Sequence, residues 1–202
     1  MLINRNIELC RSLLFTPATQ IDRFKKALLG EADIVCLDLE DGVAPDHKEK
    51  AREKAIPSLF EVNEVSYTTK ALRINPIKTQ TGMRDILALC EFGQAPSVII
   101  LPKVDSPEEV LWVSEILDEV AYTNTNLFVI IETTKGLENS LEIACISPRI
   151  STFLFGAADL SAELGSSQDW QALLYARGRI VHAASSASLN LVDVPHLDIK
   201  DE

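Results

Sequence analysis

Long apolar runs are missing from this chain. Nothing in its 202 residues approaches the length of a membrane span, and Met1 to Cys10 mixes charges with apolar residues where a signal peptide needs a continuous apolar stretch. Cysteine is sparse and scattered. Cys10, Cys36, Cys90 and Cys145 show no CxxC spacing, which argues against a zinc site or a redox pair, and Cys36 between Val35 and Leu37 reads as core. Basic residues are outnumbered, 19 against 30 acidic, and a formal charge of -11 leaves no strongly basic face for a nucleic-acid backbone. A small anionic substrate would therefore need a local basic pocket or a metal. With 47% hydrophobic residues, 8 glycines, 9 prolines and no linker, repeat or low-complexity tract, the expectation is one soluble domain over residues 1–202. Reduced thiols and a cytoplasmic location are the default, without membrane or nucleic-acid partners.

What is present is a regular alternation. Strands are expected at Ser12 to Phe15, Ala32 to Leu39, Thr69 to Asn75, Ser97 to Lys103, Asn126 to Thr133, Ser151 to Ala157 and Leu189 to Val194. Between them lie six helical stretches, at Ile21 to Leu29, Asp46 to Phe60, about Gly82 to Phe92, Pro107 to about Val120, about Leu137 to Cys145 and about Trp170 to Ser186. Ser106-Pro107-Glu108-Glu109 is a strong helix start, with serine as N-cap and proline at the first helical position. Short connections of this kind point to βαβ units wound right-handedly into a parallel (β/α)8-type TIM barrel of the α/β class. An open doubly wound sheet is the runner-up, but the first strand carries no glycine-rich fingerprint. A complete barrel needs about 250 residues, so the barrel is expected to stop after strand seven, short of one helix and one strand. The seam between strands one and seven would then favour self-association.

Chemistry gathers where strands end. Glu132 is the first ionisable residue after the run Leu127 to Ile131, and Asp159 follows Phe153-Leu154-Phe155-Gly156. Alone, either acid could be a helix cap or a solvated turn; Asp159 could cap a helix beginning near Leu160. Together they are two hard oxygen donors at the C-terminal edge of neighbouring strands, which suits a magnesium ion. Asp38, Glu40 and Asp41 stand at the exit of strand two, and Arg73 and Asn75 share a face at the exit of strand three. Lys103 ends strand four, either as a ligand for substrate or thioester phosphate or as a salt-bridge partner for the acids. With Arg11 before strand one, these residues are expected on one rim, where they would hold an acidic substrate by arginine and chelate it to a divalent metal. His47, His182 and His196 carry no assigned role, and Trp112 and Trp170 read as packing residues.

The ordered set Arg11-Ser12-Leu13-Leu14-Phe15-Thr16-Pro17, Asp38-Leu39-Glu40-Asp41-Gly42-Val43-Ala44-Pro45, Arg73-Ile74-Asn75-Pro76, Leu101-Pro102-Lys103, Ile131-Glu132-Thr133 and Gly156-Ala157-Ala158-Asp159-Leu160 resembles the citrate lyase beta subunit family. That family sits within a wider aldolase superfamily that contains malyl-CoA lyases. The resemblance covers nearly the whole chain. It implies a magnesium-dependent carbon-carbon lyase on a TIM barrel, cleaving a citryl or related 3-hydroxyacyl thioester of CoA or acyl carrier protein to an acyl thioester and a keto acid such as oxaloacetate. It implies Glu132 and Asp159 as metal ligands and Arg73, with Glu132 close by, as the residue binding the keto-acid carboxylate. Arg11 and Lys103 are further substrate-binding candidates, and Asp38, Glu40, Asp41 and Asn75 would support metal-bound water or orient Arg73. Family members resemble trimers, in line with a homo-oligomer. The family pattern runs past Asp193 with a further helix and strand, which leaves a second reading open: a truncated, non-catalytic relative acting as a binding or assembly subunit.

Overall fold

A run such as Leu127 to Ile131 has no polar face, so it must be buried on both sides, and a parallel sheet between helices and its own concave interior provides that. The computed structural model describes Ile7 and residues 10–61 and 68–194, and places seven parallel strands side by side in sequence order. They are β1 (Leu13–Pro17), β2 (Ile34–Asp38), β3 (Thr69–Arg73), β4 (Val98–Leu101), β5 (Asn126–Ile131), β6 (Ile150–Phe155) and β7 (Asn190–Val192). The sheet curls into an open barrel with β1 and β7 as its two edges. The helices are α1 (Ile21–Ala27), α2 (Lys48–Glu61), α3 (Gln80–Phe92), α4 (Pro107–Glu119), α5 (Thr134–Glu138), α6 (Ser140–Cys145), α7 (Ala157–Leu164) and α8 (Leu174–Ser186).

Alternation along each strand divides the core in two. Val35, Leu37, Leu72, Ile99, Leu127, Val129, Ile131, Phe153 and Phe155 face outward and pack under the helices. Ile34, Cys36, Ala71, Val98, Ile100, Phe128, Ile130 and Leu154 face inward and fill the barrel, joined by Ile7 and Cys10 and flanked by Leu13, Phe15 and Val192. The inward set sits at even positions on β2, β4, β5 and β6 and at odd positions on β3, so Asp38, Arg73 and Glu132 continue the inward rows at the strand exits.

Several element boundaries differ from the sequence reading. The helix expected near Leu137 to Cys145 is two short helices parted at Asn139, whose side-chain amide donates to the Asp105 carbonyl at 2.8 Å. Asp159 does not cap a helix beginning near Leu160; it lies in the first turn of α7, which starts directly behind Gly156. The last helix begins at Leu174, four residues later than expected, and His196 lies outside the described residues. Ser106 occupies the N-cap of α4 but makes no capping bond with its side chain; Glu109 instead accepts the Asp105 N–H at 3.2 Å.

Asn75 corrects a face assignment. The β-ladder ends at Arg73, so strand parity no longer governs residue 75, and its side chain turns out to the helical layer. Both its backbone N–H and its Nδ2 donate to Asp85 Oδ2, at 2.8 and 2.7 Å, while Arg52 Nε of α2 donates to Asp85 Oδ1 at 2.6 Å. Asp85 is fully buried and Arg52 nearly so. Gly82 lets α3 approach this loop, since a Cβ there would sit 2.6 Å from the Asn75 carbonyl oxygen. Removing one partner of a buried, hydrogen-bonded ion pair strands the other, at a cost of about 3–5 kcal/mol. Asp85→Ala is expected to lose that much stability in urea unfolding, with Asp85→Asn losing less because it keeps an acceptor for Asn75.

Candidate active site

Asp38 and Arg73 are register partners on adjacent strands, and they form the first half of the site. Arg73 Nε donates to Asp38 Oδ1 and Nη2 to Oδ2, each at 2.7 Å, the two-bond fork that suits guanidinium and carboxylate. Asp38 also accepts the backbone N–H of Glu40 and of Gly42, both at 2.8 Å, so it folds its own downstream loop around itself. A Cβ at Gly42 would lie 2.6 Å from Asp38 Oδ2 and 3.3 Å from the Pro17 Cα, which explains glycine in Asp38-Leu39-Glu40-Asp41-Gly42. The Phe15 ring lies 4.8 Å from the guanidinium carbon. Burial disfavours the charge on Arg73, but bonding to Asp38 and the charges of Asp38 and Glu40 outweigh it and raise its pKa.

Glu40 joins this half to the second. Its Oε2 lies 3.1 Å from Arg73 Nη1 and its Oε1 accepts from Lys103 Nζ. Burial pushes the Glu40 carboxyl up, against the pull of Lys103 and Arg73. Lys48, the first residue of α2, donates to the Leu39 and Glu40 carbonyls at 2.8 and 2.5 Å and fixes the loop from outside. Sequence reasoning missed Lys48, because a lysine opening a charged helix looks like any solvated one.

The second half lies at the exits of β4, β5 and β6. Glu132, nearly fully buried, accepts the Lys103 backbone N–H on Oε1 at 2.8 Å, and its Oε2 makes no hydrogen bond among the described residues. Lys103 Nζ lies 2.9 Å from Asp159 Oδ2 and 3.6 Å from Asp41 Oδ1. Glycine is required at 156: a Cβ there would meet the Glu132 Cβ and lie 2.5 Å from Oε2. Burial pushes Glu132 up to about 7, and the nearby charges of Glu40 and Asp159 add to this against the Lys103 ammonium.

The structure thus brings together Asp38, Glu40, Asp41, Arg73, Lys103, Glu132 and Asp159. Lys103 takes the role of salt-bridge partner to the acids. Asn75 is displaced as described, and Arg11 is corrected outright. It precedes β1, so in a parallel sheet it belongs to the opposite rim, where its side chain is exposed and pairs with Asp33 at 3.5 Å.

Among the described residues no group of three or more His, Cys, Asp or Glu side chains is arranged to hold a metal. The donor pair Glu132 and Asp159 nevertheless fits magnesium, which takes one or two protein carboxylates and completes its shell with water and substrate. The observation behind that fit is Asp159 Oδ2, buried and accepting no aligned hydrogen bond among the described residues, on the same rim as Glu132, whose carboxyl feels the Asp159 charge and whose Oε2 is left without a hydrogen bond among them.

The model of the HpcH/HpaI aldolase/citrate lyase family matches residues 11–202. The chain belongs to this family. Mitochondrial citramalyl-CoA lyase of Rattus norvegicus is 32% identical to it over 95% of the chain and 61% of the relative. A (3S)-malyl-CoA thioesterase of Cereibacter sphaeroides is 33% identical over 95% of the chain and 65% of its own length. The chain thus spans about three fifths to two thirds of the length of these curated relatives. The citrate lyase beta subunit of Mycobacterium tuberculosis, solved with oxaloacetate and magnesium, superimposes with a TM-score of 0.76 at 30% identity, covering 97% of this chain and 83% of that one. The open α/β barrel is therefore the fold of the citrate lyase family.

Two outcomes follow for Glu132 and its surroundings. Its carboxyl keeps a proton in the folded chain that the unfolded chain gives up, between the ordinary 4.5 and about 7. Stability of chelator-treated protein should therefore fall as pH rises through that window, by about 3 kcal/mol from this group. Glu132→Gln should remove this component from the pH profile of urea unfolding. Gly156→Ala should cost about 1–3 kcal/mol by the same measurement, because the new methyl must push Glu132 aside.

Proposed function

We propose that this chain is a magnesium-dependent carbon-carbon lyase that cleaves a 3-hydroxyacyl thioester of CoA or acyl carrier protein, of citryl, citramalyl or malyl type, to an acyl thioester and a keto acid such as oxaloacetate. One observation carries the reading: Lys103 holds Glu132 by its backbone N–H and contacts Asp159 with its ammonium, while Glu40 links that ammonium to the guanidinium of Arg73. The names of the relatives support the same chemistry.

Magnesium bound at the two carboxylates would supply Lewis acidity toward the oxygen next to the bond that breaks. The chain's own residues do the rest. Arg73 has its Nε and Nη2 committed to Asp38, so it offers the substrate carboxylate only Nη1, by exchange with Glu40. Lys103 favours the charged form of Glu40 against its burial and holds it when that exchange occurs. The buried floor of Phe128 and Ile130 beneath Glu132 excludes water from one side, which strengthens every charge interaction above it.

A second reading is favoured by the malyl-CoA thioesterase relative: hydrolysis of the thioester in place of carbon-carbon cleavage. Self-association belongs to the proposal as well, supported by β1 and β7 standing as the outer strands of the sheet among the described residues and by Leu14 on β1, 46% exposed.

The test is incubation with citryl-CoA, citramalyl-CoA and malyl-CoA, with magnesium or with chelator, following keto acid and free thiol separately. Metal-dependent keto acid without thiol is expected, reduced at least about a hundredfold in Glu132→Ala. Thiol release with the hydroxy acid intact would establish the thioesterase instead, and no turnover by folded protein would leave a binding or assembly role. Arg73→Lys should lower kcat/KM by roughly tenfold or more, since an ammonium cannot hold Asp38 by a fork and still present a donor to substrate. Light scattering at micromolar concentration checks self-association; a cooperatively folded monomer would refute it.

A further inference from the structure

Lys103 has a backbone φ of 51°, in the left-handed region that glycine tolerates and lysine does not favour. Ala121 and Ser188 share this backbone, but at Lys103 it lies among the charges of the mouth and gives one residue two grips. The Lys103 N–H holds Glu132 Oε1 at 2.8 Å, while Nζ crosses the mouth to Glu40, to Asp159 at 2.9 Å and to Asp41 at 3.6 Å. The grips differ in quality. Glu40 Oε1 accepts a hydrogen bond from the ammonium, but Asp159 Oδ2, buried and 2.9 Å from it, is in ion-pair contact without a well-aligned hydrogen bond from any described residue. Glu40 Oε2, 3.1 Å from Arg73 Nη1, likewise lacks a well-aligned one among the described residues. Asp159 is therefore near a cation that does not align with it, and a hard ion without directional preference would serve it better.

We propose that the Lys103 ammonium and a divalent cation compete for Asp159, so that Lys103 lowers the affinity of the site for magnesium and withdraws toward Glu40 and Asp41 when the metal enters. The inference rests on the metal reading of the proposed function. Lys103 is on this account a positioning residue: it keeps Asp159 and Glu40 paired and in place, and its positive charge makes tight metal binding depend on further negative charge. An anionic substrate brings that charge, so metal and substrate should strengthen each other's binding, by the same factor in either order.

The experiment is calorimetric titration of the whole chain with magnesium chloride at pH 8 and fixed ionic strength, for the parent protein, Lys103→Met and Lys103→Gly. Glycine removes the ammonium and relieves the backbone at once, so it keeps the test valid if methionine disturbs folding. Competition predicts that both variants bind magnesium more tightly, on the order of tenfold, because a like charge a few ångströms away has been removed. It also predicts that oxaloacetate tightens magnesium binding in the parent protein more than in Lys103→Gly. Unchanged or weaker magnesium binding in both variants would overturn the inference and make Lys103 a scaffold, while leaving the metal site standing if Glu132→Gln still abolishes binding. Absence of magnesium binding in the parent protein would overturn both.

Discussion

The fork between Asp38 and Arg73 is the constraint on which the rest of the site depends. Both residues occupy inward positions at the last rung of β2 and β3, where the sheet stops and its backbone no longer dictates direction. Two charges so far inside the mouth are tolerable only because each is paired and hydrogen-bonded. Asp38 spends all its accepting capacity on Arg73 and on the Glu40 and Gly42 amides, and in doing so aims Glu40 back across the barrel. Glu40 then reaches Lys103, and Lys103 reaches Glu132 and Asp159. The exits of β2 to β6 are thereby linked by one chain of charge contacts.

Much of this was legible in the text of the chain. Buried parallel strands write themselves as short unbroken apolar runs, and an acid at or just beyond the end of such a run marks an exit, which located Glu132 and Asp159 with their strands. The exits of β2 and β3 were legible for the same reason. Arg11 was misplaced although the means to place it were available: a residue before a parallel strand lies on the opposite rim from one after it. Asn75 was assigned by a parity that holds only while the ladder lasts.

Other features leave little or no trace in the letters. Asp85 offered a signal, since it lies four residues from Leu89 on the buried face of α3, and a charge on an apolar face asks for a partner. Arg52 was hidden among the other charges of α2. The left-handed backbone at Lys103 has no counterpart in residue type, because lysine is not a residue that announces it. The need for glycine at 42 and 156 likewise arises from carboxylates that come close only after folding.

Lys48 ties the site to something remote from its chemistry. The same residue opens α2 and anchors the carbonyls of Leu39 and Glu40. Fraying of that helix at its outer end therefore slackens the acidic loop in the mouth, and the loop in turn staples the helix. The rigidity of the charged mouth is thus borrowed partly from the surface, and a solvent-side disturbance at the α2 entry would be felt as a loss of aim at Arg73.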